Sequence, residues 1–396
     1  MVGMEINEEL NGCIENMNTT TLNDIITIKK GKKPKIQSEH QQQGFMPYVD
    51  IAAFETGRIK MYTDGEKCLP CNNGDLLIVC DGSRSGLIGK AIKGYVGSTL
   101  ARIDVDETVS KDYLYYFIQG KYSLLNTNVK GTGTPHVNQE LLKSFEIPVP
   151  PLPEQERIVA RIEELFSELD KAVETLKKTK EQLAVYRQAV LKEAFDSINN
   201  FDKEIVQSIC DNIVDCPHST PKWTQKGKIC LRTSNFKRGY LDLTEINYVS
   251  EETYNIRNAR LIPQPGDVLY SREGAILGIA CIIPENLCVC LGQRMMLLRP
   301  NTRVINKFLM YYLNSPRVTA YVASITGGSA SPHVNVGDIK NFKLPVPPIS
   351  EQIKLIEKLE SRLSVCDSIE KTIDTALQES EAMRQSILKK AFEGEI

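Results

Sequence analysis

What this sequence lacks narrows its chemistry before any motif is considered. Four histidines and one tryptophan in 396 residues leave little raw material for proton transfer or metal ligation. No apolar run approaches the roughly 20 residues that a membrane helix needs. The longest lies near Ile276 to Ile283 and contains Gly278. The opening residues Met1-Val2-Gly3-Met4-Glu5 lack a basic start and an apolar signal core, so a cytoplasmic protein is expected. No Gly-x-Gly-x-x-Gly follows a strand-like run, which leaves no dinucleotide or methyl-donor loop in view. Residues 82–90 have the wrong glycine spacing for a phosphate loop, and Ala91 stands where a magnesium-binding Ser or Thr is required. An Asn-Pro-Pro-aromatic stretch, which amino-methyltransferases use to hold a flipped base, is missing too. Eleven cysteines are present, but their odd number and irregular spacing give no disulfide framework. Cys68 and Cys71 form a lone Cys-x-x-Cys pair with no second pair to complete a zinc site. Reduced thiols, no metal and no active site are the expectation.

What the sequence does have is a repeat. Pro135-His136-Val137-Asn138 recurs as Pro332-His333-Val334-Asn335, an offset of 197. Pro148-Val149-Pro150-Pro151 and Glu154-Gln155 recur at the same offset as Pro345-Val346-Pro347-Pro348 and Glu351-Gln352. Between residues 135 and 155, 12 of 21 positions are identical, and the register holds without a gap to Ala194-Phe195 against Ala391-Phe392. Upstream the offset drifts. Gly74-Asp75-Leu76-Leu77 matches Gly266-Asp267-Val268-Leu269 at 192, residues 113–117 match 308–312 at 195, and residues 49–57 loosely match 231–239 at 182. The chain is two copies of one unit: a variable module, a proline-rich junction, then a long segment of another character.

That segment has a helical period. Ile158, Ile162, Leu165, Leu169, Ala172, Leu176, Thr179, Leu183, Tyr186 and Val190 alternate in steps of four and three, the seam of a coiled coil. Leu355, Leu359, Cys366, Ile369, Ile373, Ala376, Met383 and Ile387 repeat it, with Arg362 and Ser380 breaking the line, so the second helix is expected to be the less regular. Neither stripe can be buried alone, which makes each helix the natural partner of the other. The modules read as mixed α/β. Residues 76–80, 268–270 and 279–283 suit short buried strands, and 113–118 and 308–313 suit short amphipathic helices. The predicted divisions are an N-terminal arm (1–17), a first module (18–152), a first helix (153–199), a second module (200–349) and a second helix (350–396). The fold class is α+β: two repeated mixed modules separated by two long helices in an antiparallel coiled coil. His136 and His333 read as structural at the junctions, with Asn138 and Asn335 capping short helices.

The net charge of −2 conceals a partition. Residues 18–150 carry 16 basic and 14 acidic side chains and 200–347 carry 17 and 12, whereas 151–199 and 348–396 carry 8 against 10 and 7 against 10. The modules are mildly basic and the helices acidic, a modest nucleic-acid footprint. Lys29, Lys30, Lys32, Lys33 and Lys35 crowd one turn-like segment, followed by Gln41-Gln42-Gln43. Lysine suits phosphate and glutamine suits adenine. In the second module Lys222, Lys226, Lys228 and Arg232 follow one another, then Lys237 and Arg238 on a basic turn. Arg84 and Arg272, downstream of the repeated Gly-Asp strands, complete the candidate DNA contacts.

Module, Ile-Pro-Val-Pro-Pro-Leu-Pro-Glu-Gln-Glu-Arg-Ile (147–158), helix, module, Leu-Pro-Val-Pro-Pro-Ile-Ser-Glu-Gln (344–352), helix: over essentially its whole length this order resembles the specificity subunit of type I restriction–modification systems. The departures are mild, at Ser350, Arg362 and Ser380. The resemblance implies two target-recognition domains, each reading half of an interrupted site in double-stranded DNA. It implies helices that act as spacer and as docking surface for two methyltransferase subunits, with restriction subunits joining them. It places S-adenosylmethionine, ATP and Mg on those partners and no cofactor on this chain, and it implies neither catalysis nor a membrane. The near-neutral charge also suits a coiled-coil scaffold with protein-binding modules, and a subunit serving a fused methyltransferase–nuclease is a further alternative.

The gapless offset of 197 gives both helices one length, as a paired spacer requires. Inserting seven residues after both Leu176 and Ile373 keeps the heptad phase and adds about 10 Å. Methylation mapping with the lengthened chain should show a wider gap between unaltered half-words. An active enzyme with the original gap would show that the helices do not set the spacing.

Overall fold

Leu76–Val79 is an unbroken apolar run because both of its faces are buried. Leu76 and Ile78 point into one core, Leu77 and Val79 into another, as the two-residue period of a strand dictates. Val268 and Tyr270 repeat the first pattern in the second module and Leu269 the second. The computed structural model describes residues 19–131, 133–327 and 332–396, and the arm expected at 1–17 lies outside them. Two compact units divide the chain, Met1–Thr175 with Thr375–Ile396, and Leu176–Asp374. Each holds one module and part of both long helices.

In module one a four-stranded antiparallel sheet runs in the order Ile26–Lys30, Leu100–Val105, Leu76–Val79, Ile88–Lys90. Module two has the same order in Cys210–Asp215, Met295–Pro300, Val268–Ser271 and Ala280–Ile282. Each module adds a second small sheet that contains one parallel pair, central in module one and at the sheet edge in module two. The pair is Met46–Val49 with Gly94–Val96 in one and Lys228–Leu231 with Val289–Leu291 in the other. The repeat in the sequence is therefore a repeat of topology. The expected short helices form as Lys111–Gly120 and Asn306–Leu313. Each module is closed by pairing its first strand with its last, Thr19–Thr21 with Glu146–Pro148 and Lys203–Ile205 with Lys343–Pro345.

The long helices, Leu152–Asp196 and Ile349–Glu393, are 45 residues each. Proline is tolerated in a first turn, where the missing N–H has no intrahelical partner. In the unit Leu176–Asp374 the two helix portions run antiparallel, because partner numbers fall as helix numbers rise. Asp170 pairs with Arg384 in one unit. In the other, Lys180 meets Asp374 at 2.6 Å, Arg187 meets Asp367 at 2.7 Å and Glu193 meets Arg362 at 2.7 Å. The second helix is as continuous as the first across Arg362 and Ser380, the two positions that break its apolar seam. Arg362 has an anion in Glu193 and an aromatic face in Tyr186, 5.5 Å from the ring centre, so it links the helices instead of interrupting them. Ser380 turns its hydroxyl back to the Leu377 carbonyl.

The helices are fixed to the modules at the Glu-Gln junctions. Gln155 and Gln352 are fully buried. The Gln155 amide accepts from the Ser110 N–H at 2.8 Å and donates to the carbonyls of Thr108 and Pro150 at 2.9 and 2.8 Å. Gln352 accepts from the Ile305 N–H at 2.9 Å and donates to the carbonyls of Arg303 and Pro347, both at 2.8 Å. Each amide closes three backbone groups. Around it, Ile158, Ile162 and Phe166 pack into module one beside Leu388 and Ala391. Val190, Phe195, Leu355 and Leu359 pack into module two.

Replacing Gln155 with Ala should therefore destabilise the first unit by about 2–4 kcal/mol, the cost of stranding buried backbone groups and opening a void. Denaturant unfolding followed by amide exchange in residues 105–160 measures it. A loss below about 0.5 kcal/mol, the size of a surface change, would show that the amide does not hold the junction.

Candidate nucleic-acid interface

A protein that holds DNA phosphates needs cations that its own carboxylates have not already neutralised. Sorting the candidate side chains by partner separates them. In module one, Lys29 pairs with Asp104 at 2.7 Å, Lys30 with Asp81 at 2.8 Å and Lys35 with Glu66 at 3.5 Å, while Arg84 pairs with Glu55. Burial pushes the Asp81 carboxyl up, but Lys30 and His136 outweigh it and hold the group below the ordinary carboxylate value. Lys32 and Lys33 are exposed and have no carboxylate partner among the described residues. The lysine run is thus two free cations flanked by three occupied ones. The glutamines 41–43 beyond it are exposed as well.

Module two sorts in the same way. Lys228 lies 3.5 Å from Glu251 and Lys237 3.7 Å from Asp242. Arg238 reaches the Asn314 carbonyl at 3.4 Å. Arg272 corrects an expectation. It is 6% exposed and grips Asp215 through two bonds of 2.8 and 3.1 Å, so it braces the sheet ends and does not face outward. Lys222 and Lys226 are exposed and have no acidic partner among the described residues. Arg232 is likewise without one and lies over the exposed Trp223 ring, 5.8 Å from its centre.

The two modules present equivalent grooves. In module one the groove is lined by Asp50, Ile51, Lys60, Gly82, Arg84 and Thr99 among others. In module two it is lined by Thr220, Trp223, Arg232, Gly292, Gln293 and Arg294 among others. The correspondence is structural. Gly97 N–H donates to the Val49 carbonyl at 2.9 Å and Gly292 N–H to the Leu231 carbonyl at 2.8 Å, each just past the parallel strand pair. A side chain at either glycine would collide with that carbonyl, 2.6 Å away in one case and 2.3 Å in the other.

One residue that sequence reasoning missed organises the second groove. Arg257 is 7% exposed and has no carboxylate partner among the described residues. Instead it donates to the carbonyls of Leu291 and Gly292 at 2.6 and 2.7 Å, and to those of Pro217 and Ser219 at 3.1 Å each. Its rigid fork of donors clamps the loop after Asp215 to the loop after Leu291. Gln293 tightens the same joint by donating to the His218 carbonyl. Gln293 and Arg294 were missed because the groove forms where segments distant in the chain meet. The signal was present: Gly97-Ser98-Thr99 and Gly292-Gln293-Arg294 share the 195 offset of the helices that follow them.

The histidines are structural contacts at the loops. His136 Nδ1 lies 2.7 Å from Asp81, and His333 forms a backbone bridge with Glu273. Asn138 caps its helix by accepting from the Leu141 N–H, whereas Asn335 turns its amide to Asp338. The buried thiols of Cys71 and Cys80 are pushed up to about 11 by burial. No three His, Cys, Asp or Glu gather as a metal site among the described residues.

Comparison with known proteins agrees with this duplicated architecture. The family model described as type I restriction modification DNA specificity domain matches twice, at residues 14–184 and 217–379. The MjaVIII type I restriction enzyme specificity subunit of Methanocaldococcus jannaschii is 25% identical over 370 residues, covering 88% of this chain and 86% of that one. The EcoBI specificity subunit of Escherichia coli is 24% identical, covering 95% and 85%. Among solved structures, a chain from a study of assembly and conformational transition of the type I R-M system aligns with a TM-score of 0.71. It shares 20% identity and covers 96% of this chain and 98% of its own. The HsdS subunit from Thermoanaerobacter tengcongensis aligns with a TM-score of 0.54, at 20% identity and 96% and 97% coverage. With two matches that together span most of its length, the chain belongs to the type I restriction modification DNA specificity family.

Proposed function

We propose that the two grooves are the reading heads of this specificity subunit, each facing one half of an asymmetric, interrupted DNA site. The observation that carries the reading is the sorting of cations. Of the thirteen candidate side chains, seven are paired with carboxylates, while Lys32 and Lys33 in one module and Lys222, Lys226 and Arg232 in the other are left without carboxylate partners among the described residues. In this reading free lysines hold phosphates, which fix register, while the groove walls face base edges, which carry the word. Because the walls differ between the modules, the two half-words should differ.

The same reading makes the chain non-catalytic and sets it in the cytoplasm as part of a larger complex. Two methyltransferase subunits would dock on the helices, with restriction subunits joining them, and S-adenosylmethionine, ATP and Mg would be held by those partners. No helix of the described residues is long and apolar enough to cross a membrane.

The free and occupied lysines give different expectations. Replacing Lys32 and Lys33 with Ala should flatten the log-affinity versus log-salt slope of the methyltransferase-containing complex by about 1.8, two phosphate contacts at about 0.9 each. Replacing Lys29 and Lys30 should flatten it less, because their carboxylates already neutralise them. Binding titrations between low and moderate salt decide this. An unchanged slope in the Lys32, Lys33 variant would return that segment to a merely solvated loop.

A further inference from the structure

Arg294 has a backbone that an arginine rarely adopts. Its φ is +67°, in the left-handed region that favours glycine. The conformation is imposed from both sides. The Arg294 carbonyl accepts from the Arg272 N–H at 3.0 Å, and Arg272 is itself locked to Asp215. Upstream, the Gly292 carbonyl is held by Arg257 and its N–H by Leu231. A glycine would fit the turn with less strain, so the arginine is there for its side chain. That side chain is exposed at the groove and has no hydrogen-bond or ion-pair partner among the described residues. Opposite it stands Gly274, where an added Cβ would come within 3.3 Å of the guanidinium.

Resting on the DNA reading above, we infer that Arg294 is the base-reading side chain of module two and takes a guanine in the major groove. A phosphate contact tolerates a flexible lysine on a loose loop, as Lys222 and Lys226 offer. A base contact needs a planar, bidentate donor delivered from a fixed backbone, and arginine to guanine O6 and N7 is the pairing that geometry favours. The equivalent position in module one is Thr99, on the same framework: the Cys80 N–H donates to the Thr99 carbonyl at 2.8 Å, as Arg272 does to Arg294. The fold thus holds one position constant and changes the side chain that it presents, from Thr99 to Arg294. Position 99/294 is where the two modules' words diverge.

The test uses the chain in complex with its methyltransferase partners and the substitutions Arg294→Ala, Arg294→Lys and Arg294→Gly. Genome methylation mapping reads the word, and competition binding reads discrimination at each base pair. The expected result is that one G·C pair in one half-word becomes degenerate, discrimination there falls by about one to two orders of magnitude, and the other half-word is kept. Arg294→Gly relieves the left-handed backbone, so it should unfold no earlier than the parent and separates readout from folding. An unchanged word in all three variants overturns the assignment, as does uniform weakening at every base pair with a flattened salt slope, which is the signature of a phosphate contact. Either result leaves DNA reading by module two standing. A parent complex that binds no DNA sinks both.

Discussion

Two buried glutamine amides carry the architecture. Gln155 and Gln352 each sit at the first turn of a 45-residue helix and close three backbone groups of the module behind it. A helix start leaves N–H groups without partners and a module edge leaves strand ends open. One neutral amide, with one acceptor and two donors, joins the two without burying a charge. The proline pairs before each glutamine stiffen the approach, and the preceding strand pairs with the first strand of its own module. Helix direction is thereby set by the module, twice, in the same way.

Charge is then distributed to match. Within each unit the helix portions are cross-linked by opposite charges, and seven of the thirteen candidate cations of the modules are matched by carboxylates. Surface pairs of this kind contribute little stability each. Their larger consequence is subtraction, since a cation that is already paired attracts phosphate weakly. Among the candidate cations, Lys32, Lys33, Lys222, Lys226 and Arg232 are left without a carboxylate among the described residues. Arg257 shows the complementary use of arginine, buried and satisfied by four carbonyls, holding two loops at fixed separation.

Much of this was legible in the sequence, for reasons that can be named. The helices have a period, and the junction from Pro135 to Gln155 has diverged so little that its copy stands out at a constant offset. The strands at Leu76 and Val268 were visible because burial on both faces makes them uniformly apolar. The grooves were not legible, since Gly292-Gln293-Arg294 and the loop after Asp215 meet only in three dimensions. Pairing was invisible for the same reason. Nothing in the run from Lys29 to Lys35 tells which lysines will find Asp104, Asp81 or Glu66, and nothing near Arg272 announces Asp215. The role of Gln155 lay between these cases, since its recurrence was plain but its three bonds were not.

The central claim is that each module reads its half of the site independently on a shared frame. Exchanging residues 200–347 for the equivalent stretch of another such subunit, then mapping methylated adenines across a genome, tests it most directly. The account predicts that one half of the methylated word changes while the other half and the spacing persist. A folded, active hybrid in which both halves change would contradict it.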